Sequence, residues 1–262
     1  MMAKTLGILG GMGPLASLAF LRTIYECNHA GAVEQAYPDI LLHSMSSVPD
    51  RTRSLLGNAE NALAEALIKN LRTLNASGVS KIVICCFTSH ALIYRLPAEI
   101  AAKIVSLVDL TGQELIAGQE RCLLLASLGS YQKEVFNSTA DARKATEYMV
   151  VPDDKDKTII HGLIYEYLKP GKDLAPVYTI VKGLLAKYGV SAFIAGCTEF
   201  HLLSRYIHDN ANRICDISCV DPLVTIARRL DFILSMPGAT REKTEGEAWF
   251  GTPLSLAAQS DR

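Results

Sequence analysis

The sequence predicts an α/β protein of two pseudo-symmetric lobes, each a mostly parallel sheet flanked by helices, with the active site between the lobes. Short apolar runs alternate with amphipathic stretches, a pattern typical of right-handed βαβ crossovers and parallel sheets. The second half repeats the order of the first. In each half, one apolar run ends at a cysteine that is followed by threonine and then by histidine. Open α/β sheets bind ligands beyond the carboxyl ends of their strands, so the two cysteines are expected to face one pocket.

The first half begins with an apolar run, a glycine-rich loop and a helical pattern, which together predict a strand, a tight loop and a helix. Two further helical patterns and three further apolar runs follow before residue 120. The predicted strands of this half cover residues 5–9, 40–43, 82–85 and 104–108. The predicted helices cover residues 15–24, 58–75 and 112–119.

The second half follows the same rule of alternation. Its predicted strands cover residues 122–126, 148–151, 192–195 and 214–218. Its predicted helices cover residues 133–144, 156–168, 177–188 and 222–234. We expect residues 1–110 to form the first lobe, with residues 219–262 returning to it, and residues 111–218 to form the second. The tail beyond residue 236 is rich in Thr, Glu, Ser and Ala, and we expect it to be loosely packed.

The composition is that of a globular protein with no strong electrostatic field. Hydrophobic residues make up 49% of the chain and charged residues 20%, and 26 basic against 27 acidic residues leave a net charge of −1. No apolar run is long enough to span a bilayer, and glycines soon interrupt the first one. We therefore expect a cytoplasmic protein with neither nucleic acid nor membrane as a partner.

The seven cysteines are interpreted as free thiols, because an odd number without an export signal does not indicate a disulfide framework. A cysteine at the end of a buried strand is usually core filling. The doubled sequence context nevertheless makes Cys86 and Cys197 candidates for a reactive pair. Cys85 is expected to point the other way, because neighbours in a strand alternate faces. We interpret the remaining four cysteines as packing residues and not as metal ligands: Cys27, Cys122, Cys215 and Cys219.

The loop after the first strand admits two interpretations. Gly11 to Ala16 matches the dinucleotide pattern G-x-G-x-x-A. A dinucleotide site also needs an acidic residue at the end of the next strand, whereas that run ends in His43 and Ser44. Backbone N–H groups before a helix can instead bind a small carboxylate. The carboxylate interpretation is preferred, and no cofactor is expected.

Six sets of residues, in order over residues 5–234, form a characteristic series of motifs. They are residues 7–16 (GILGGMGPLA), residues 49–52 (PDRT), Cys86 with Thr88 and His90, Lys169 with Gly171, residues 196–199 (GCTE), and residues 221–222 (DP). This series resembles the aspartate/glutamate racemase superfamily, and aspartate racemases most closely. Only the tail lies outside the resemblance.

The resemblance implies a cofactor-independent enzyme, usually dimeric, with one catalytic cysteine from each lobe, here Cys86 and Cys197. It also implies that Arg51 and Lys169 recognise the side-chain carboxylate of the substrate. We therefore expect a homodimer that acts on a small-molecule carboxylate or amino acid. The same motifs supply the remaining candidate substrate-binding residues: Met12, Phe87, Thr88, Ser130, Thr198 and Glu199.

The chemistry of inversion explains a pair of thiols. Inverting a stereocentre requires removal of the α-proton on one face and delivery of a proton on the other, so a thiolate and a thiol must flank the carbon. A free cysteine has a pKa of about 8.5, and nearby cations or helix N-termini lower it. His90 and His201 are expected to orient their turns rather than to transfer protons, although either could tune its cysteine, as could Glu199.

One residue departs from the family pattern. Members with acidic amino-acid substrates usually carry Cys-Asn-Thr at the first cysteine, whereas this chain has Phe87 between Cys86 and Thr88. Phenylalanine cannot replace the hydrogen bonds of an amide. Ser130, by contrast, keeps a hydroxyl where threonine is usual.

Three functions are compatible with this pattern. The first is racemisation of aspartate, glutamate or a related amino acid. The second is another isomerisation, or a decarboxylation, of a small carboxylate within the superfamily, although the two cysteines argue against a one-cysteine decarboxylase. The third is a non-catalytic carboxylate-binding protein that kept the fold.

Overall fold

A computed structural model describes residues 4–28, 33–212 and 217–236 of the chain. Its seven described strands form two separate sheets in which every pairing is parallel. The first sheet has the order β2-β1-β3 and the second β5-β4-β6-β7. The strands are β1 (Leu6–Gly10), β2 (Ile40–Ser44), β3 (Lys81–Ile84), β4 (Cys122–Ala126), β5 (Met149–Val150), β6 (Ala192–Gly196) and β7 (Ser218–Val220). The predicted α/β class with parallel sheets and flanking helices is confirmed.

Helices connect successive strands and cover the sheets, as parallel pairing requires. The α-helices are α1 (Pro14–Cys27), α2 (Arg51–Leu56), α3 (Glu60–Ala76), α4 (Ala98–Ala101), α5 (Leu107–Gly118), α6 (Leu128–Gln132), α7 (Ala140–Lys144), α8 (Asp154–Leu163), α9 (Ala175–Tyr188), α10 (Phe200–Asp209), α11 (Pro222–Arg228) and α12 (Leu230–Ser235). Helix α8 continues into a π-helical turn at Ile164–Leu168. Short 3-10 helices cover Glu34–Ala36, Thr88–Arg95, Val135–Asn137 and Ala145–Tyr148.

The two sheets share one internal plan. In each, the first strand in the chain lies between the second and the third, so β1, β2 and β3 correspond to β4, β5 and β6. Next to β3, an isolated parallel bridge joins Ile82 to Ile104, at the place where β7 lies beside β6. Strands β3 and β6, which precede the two candidate cysteines, therefore occupy equivalent places.

Alternation along the two equivalent strands divides their side chains between separate cores. Val83 and Cys85 belong to a core that spans both sheets, while Ile82 and Ile84 pack with the helices outside the first sheet. In the same way, Ile194 of β6 enters the shared core, whereas its neighbours pack with helices outside the second sheet. A single core thus joins the lobes, because both sheets contribute one apolar face to it.

Three sequence predictions differ from the observed elements. The strand predicted over 104–108 is only the bridge at Ile104, because Ser106 accepts a hydrogen bond from the Asp109 N–H and starts α5 at Leu107. The helix predicted over 133–144 is divided, because Thr139 is extended (φ −123°, ψ 162°) and starts α7 by accepting a hydrogen bond from the Ala142 N–H. Helix 222–234 is also two helices, since the backbone leaves helical geometry at Arg229.

The C-terminal segment connects the lobes. Strand β7 pairs with β6 in the second sheet, whereas α11 packs against α1 and α5. The side-chain amide of Asn28 donates to the Ala227 carbonyl at 2.8 Å. The strand predicted over 214–218 lies largely outside the described residues, as do Cys215 and the tail after residue 236. The domain boundaries at residues 110 and 218 stay predictions.

Candidate active site

The predicted site residues lie at the carboxyl ends of the equivalent strands of both sheets. Met12 follows β1, Cys86 follows β3, and Cys197 follows β6. Ser130 lies in α6, directly after β4, and Arg51 begins α2 after the loop that follows β2. Lys169 follows the π-helical turn. The fold therefore places these residues where parallel sheets bind ligands.

The two candidate cysteines are both buried, with exposed fractions of 6% for Cys86 and 7% for Cys197. Cys85 lies in the shared core while Cys86 packs with the outer helices of the first lobe, as the alternation of faces predicts. The six described cysteines are free thiols. Among the described residues, no group of three or more His, Cys, Asp or Glu is arranged to hold a metal ion.

Glu199, two residues after Cys197, keeps the Cys197 side chain in its thiol form. The Cys197 Sγ–H donates to Glu199 Oε2 at 2.8 Å. Burial raises the pKa of Cys197 well above its ordinary value, and the charge and hydrogen bond of Glu199 raise it further. The charge of a Cys86 thiolate acts in the same direction. Cys197 is therefore protonated at neutral pH, which suits a proton donor.

A threonine after each cysteine forms a hydrogen bond to the opposite lobe. The Thr88 hydroxyl lies 2.9 Å from that of Ser127 and 3.0 Å from that of Ser130. The Thr198 hydroxyl donates to the Cys85 carbonyl at 3.2 Å. These buried contacts hold the carboxyl ends of β3, β4 and β6 against one another, so both cysteine turns are fixed at the junction of the lobes.

Arg51 is buried and is already bound to the backbone on one side. Its Nη2 donates to the Met12 carbonyl, and its Nη1 lies 3.2 Å from the Pro49 carbonyl and 3.4 Å from that of Val48. Its Nε has no hydrogen-bond partner among the described residues. Burial lowers the pKa of the guanidinium, but nearby acidic groups, led by Cys86, raise it overall. The charge is thus retained beside the first cysteine.

Lys169 binds to the first lobe through a carboxylate and an aromatic ring. Its Nζ lies 3.5 Å from Asp50 Oδ2 and 3.6 Å from the centre of the Tyr165 ring. The Tyr165 hydroxyl donates to the same Asp50 oxygen at 2.8 Å. Burial lowers the pKa of Lys169, but the charge of Glu199, followed by that of Tyr165, raises it overall. A substrate carboxylate would therefore compete with Asp50 for this ammonium group.

The glycine loop of the first lobe lies against the second lobe. Gly11 has a φ of +87°, and its N–H donates to the Ser17 hydroxyl at 3.2 Å. A Cβ at Gly13 would lie 2.7 Å from Glu199 Oε1, so a larger residue there would displace this carboxylate oxygen. His43 at the end of β2 bonds to Asn70. The loop therefore closes on Glu199 of the other lobe.

The two histidines are buried and serve the backbone and the helices. His90 Nδ1 lies 3.0 Å from the Cys86 carbonyl, and its Nε2 accepts from the Leu107 N–H at 3.2 Å. Burial lowers the pKa of His90 to about 4, so its ring is neutral. His201 lies 2.6 Å from Asp221 and 2.9 Å from the Thr23 hydroxyl on α1. Both geometries match an orienting role.

Phe87 packs into the core that both lobes share. Its side chain is only 1% exposed, and its ring lies 5.1 Å from that of Phe136 and 6.1 Å from that of His90. Phe87 and Cys85 both belong to the core shared by the two lobes, whereas Cys86 packs with the helices outside the first sheet. Contact between residue 87 and a substrate stays a prediction.

We expect Phe87→Asn to destabilise the protein because it removes a buried ring and buries an amide. Loss of a buried phenylalanine costs about 3–5 kcal/mol of unfolding free energy. Thermal and denaturant unfolding would measure this, with Phe87→Leu as the milder apolar control. An Asn variant with an unchanged midpoint and a higher kcat/KM for an acidic amino acid would show instead that residue 87 faces the substrate.

Sequence reasoning did not single out three residues that the structure brings into the site. Asp50 belongs to the PDRT segment at residues 49–52. It also caps α2, where its side chain accepts a hydrogen bond from the Arg53 N–H at 2.9 Å. Tyr165 lies one helical turn before Lys169, a spacing that places both on one face. Ser127 follows β4, caps α6 and bonds to Ser130 and Thr88 in a cluster of hydroxyl groups.

The fold and the site define a class: a two-lobed α/β protein that brings one buried cysteine from each lobe to their junction, beside a buried arginine and glutamate. The sequence profile of the Asp/Glu/hydantoin racemase family matches residues 9–230. The chain belongs to this family.

Solved structures share the fold. An aspartate racemase of Picrophilus torridus has a TM-score of 0.69 and 20% identity, over 89% of this chain and 100% of that one. An aspartate racemase homologue of Pyrococcus horikoshii has a TM-score of 0.61 and 22% identity, over the same shares. A glutamate racemase of Francisella tularensis, solved with D-glutamate, has a TM-score of 0.56 and 17% identity, over 89% of this chain and 81% of that one.

Among the described residues, no helix has both the length and the apolar character to cross a membrane.

Proposed function

We propose that this chain is a cofactor-independent racemase of an acidic α-amino acid, of the aspartate or glutamate type. Cys86 and Cys197 act in it as the opposed base and acid at the α-carbon. The observation that carries the proposal is the equivalent placement of the two cysteines after β3 and β6. Membership of the Asp/Glu/hydantoin racemase family supports the reaction class.

In one direction, the Cys86 thiolate takes the α-proton and becomes a thiol, while the Cys197 thiol gives its proton to the opposite face and becomes a thiolate. The reverse direction starts from the Cys197 thiolate and the Cys86 thiol, and proton exchange with solvent returns the pair to its first form between turnovers in one direction. The raised pKa of Cys197 favours its protonated form before the substrate binds. Arg51 lies beside Cys86, and the charge of Cys86 is the largest of the effects that raise the pKa of the guanidinium.

Negative charge that develops on the substrate during proton removal needs fixed donors. Backbone N–H groups of the turns after the two cysteines and of the glycine loop are the proposed donors. Preorganised donors of this kind stabilise developing charge more effectively than water does. Arg51 and Lys169 supply the cationic groups for the substrate carboxylates, as the resemblance implies.

Single enantiomers in deuterated water test this function. We expect L- or D-aspartate, or the corresponding glutamate, to lose optical purity and to gain α-deuterium at matched rates, measured by chiral chromatography and proton NMR. Added pyridoxal phosphate or chelator should change neither rate. A ligand-dependent rise in the melting temperature without any exchange would contradict catalysis and indicate a carboxylate-binding protein. Turnover of a different carboxylate alone would indicate another isomerase.

The homodimer implied by the resemblance and the cytoplasmic location are parts of the same proposal. Light scattering on the purified chain would measure the oligomeric state, and a monomeric mass at assay concentration would contradict the dimer.

A further inference from the structure

Glu199 is a buried carboxylate whose two oxygens have different surroundings. Only 3% of its surface is exposed. Oε2 accepts from the Cys197 thiol at 2.8 Å, and the Thr198 hydroxyl lies 3.4 Å from the same oxygen. Oε1 has no hydrogen-bond partner among the described residues. Buried polar atoms are almost always paired, so Oε1 is an acceptor open to a donor from a bound molecule.

The surroundings of Oε1 place that donor at the junction of the lobes. Oε1 faces Gly13 in the glycine loop of the opposite lobe, where a Cβ would lie only 2.7 Å away. The adjacent Met12 carbonyl accepts from Arg51, whose own Nε is likewise buried and has no partner within the described part of the chain. The charge of Glu199 contributes to raising the pKa of Arg51, so the two groups are within electrostatic reach.

Glu199 Oε1 and Arg51 Nε form a complementary pair. The first is an acceptor on an anion, and the second is a donor on a cation. An acidic α-amino acid carries an ammonium group for the first and a side-chain carboxylate for the second. An α-hydroxy acid with the same carboxylates offers the acceptor only a neutral hydroxyl, which makes a weaker hydrogen bond to a carboxylate than an ammonium does.

We infer that Glu199 Oε1 binds the α-ammonium of the substrate, so that the site selects α-amino acids over the matching α-hydroxy acids. The inference rests on the proposed function for its choice of ligands. It gives the two oxygens of one carboxylate separate partners, the thiol at Oε2 and the substrate at Oε1. Because the charge of Glu199 helps to raise the pKa of Cys197, an ammonium at Oε1 would lower that pKa when substrate binds.

Equilibrium binding separates this role from a role in activating Cys197. The probes are L-aspartate with L-malate, and L-glutamate with L-2-hydroxyglutarate, titrated calorimetrically into the wild-type chain. We expect each amino acid to bind about tenfold or more tightly than its hydroxy acid. In Glu199→Gln this preference should fall to near unity, mainly through loss of affinity for the amino acid. Glu65→Gln, the same change at an exposed carboxylate on α3, should leave the preference unchanged.

Gly13→Ala is a second and independent variant. Gly13 has a φ of −127°, which alanine adopts readily, so the substitution acts through the contact of its Cβ with the Glu199 side chain. We expect it to reduce the preference for the amino acid while the Glu199 charge remains. Equal wild-type affinities within each pair, a preference that survives both variants, or binding of none of the four probes would overturn the inference.

The outcomes for the two proposals can be told apart. Preferential binding of the amino acids without racemisation would refute the proposed function and support the inference. Racemisation by a chain that binds the hydroxy acids as tightly as the amino acids would support the proposed function and refute the inference.

Discussion

Replacement of either Cys86 or Cys197 with alanine should lower kcat/KM for racemisation by about a thousandfold or more, because general acid–base groups contribute rate factors of about 10²–10⁴ each. Inversion needs both faces of the α-carbon, so neither thiol can substitute for the other. Chiral chromatography of both enantiomers after long incubation would measure the residual rate. Serine variants are less decisive, since a hydroxyl can relay a proton.

Cys85→Ala is the matched control for this pair. Cys85 is adjacent to Cys86 and equally buried, but its side chain lies in the shared core. Burial and the charge of Glu199 raise the pKa of Cys85, so its thiol stays neutral. We expect this variant to retain turnover with only a modest loss of stability. A Cys86→Ala or Cys197→Ala enzyme that interconverts enantiomers at nearly the wild-type rate would remove that cysteine from the mechanism.

Arg51→Ala should raise KM for a dicarboxylic amino acid by about ten- to a hundred-fold, the cost of a lost charge-assisted hydrogen bond of about 1.5–3 kcal/mol. The rise should be much smaller for a neutral amino acid of similar length, because that ligand lacks the distal carboxylate. Arg51 also donates to backbone carbonyls of the glycine loop and of the segment before α2. The variant should therefore unfold at a lower temperature as well.

Steady-state kinetics on acidic and neutral amino acids, together with thermal unfolding, separate the two effects. Arg53→Ala is the control, since Arg53 is exposed in the same helix. Arg51→Lys would keep the charge and lose the planar guanidinium, so an intermediate KM is expected. Equal changes in KM for the acidic and neutral ligands would show that Arg51 is structural or binds the α-carboxylate.

The inferred role of Glu199 and the proposed acid role of Cys197 depend on one carboxylate. Glu199 Oε2 accepts a hydrogen bond from the Cys197 thiol, and Glu199 Oε1 faces the glycine loop of the opposite lobe. A substrate that binds at the second oxygen would change the charge felt by the first. Substrate binding and the protonation of Cys197 are therefore expected to be coupled.

The sequence by itself determined the α/β class, the equivalence of the two halves and the opposite faces of Cys85 and Cys86. These features follow from periodicity and from motifs at strand ends, which are local properties of the chain. The glycine loop, the PDRT segment and the two cysteine turns were identified in the same way, because their residue types are unusual at those places.

Only the tertiary structure decided what these residues contact. The unpartnered oxygen of Glu199 beside Gly13, the hydrogen bonds of Thr88 and Thr198 across the lobes, and the core position of Phe87 all involve residues distant in the chain. Periodicity assigns a side chain to a face of its own element and carries no information on which part of the other lobe meets that face. The packing of the two lobes supplies that information, and with it the geometry on which the proposed chemistry depends.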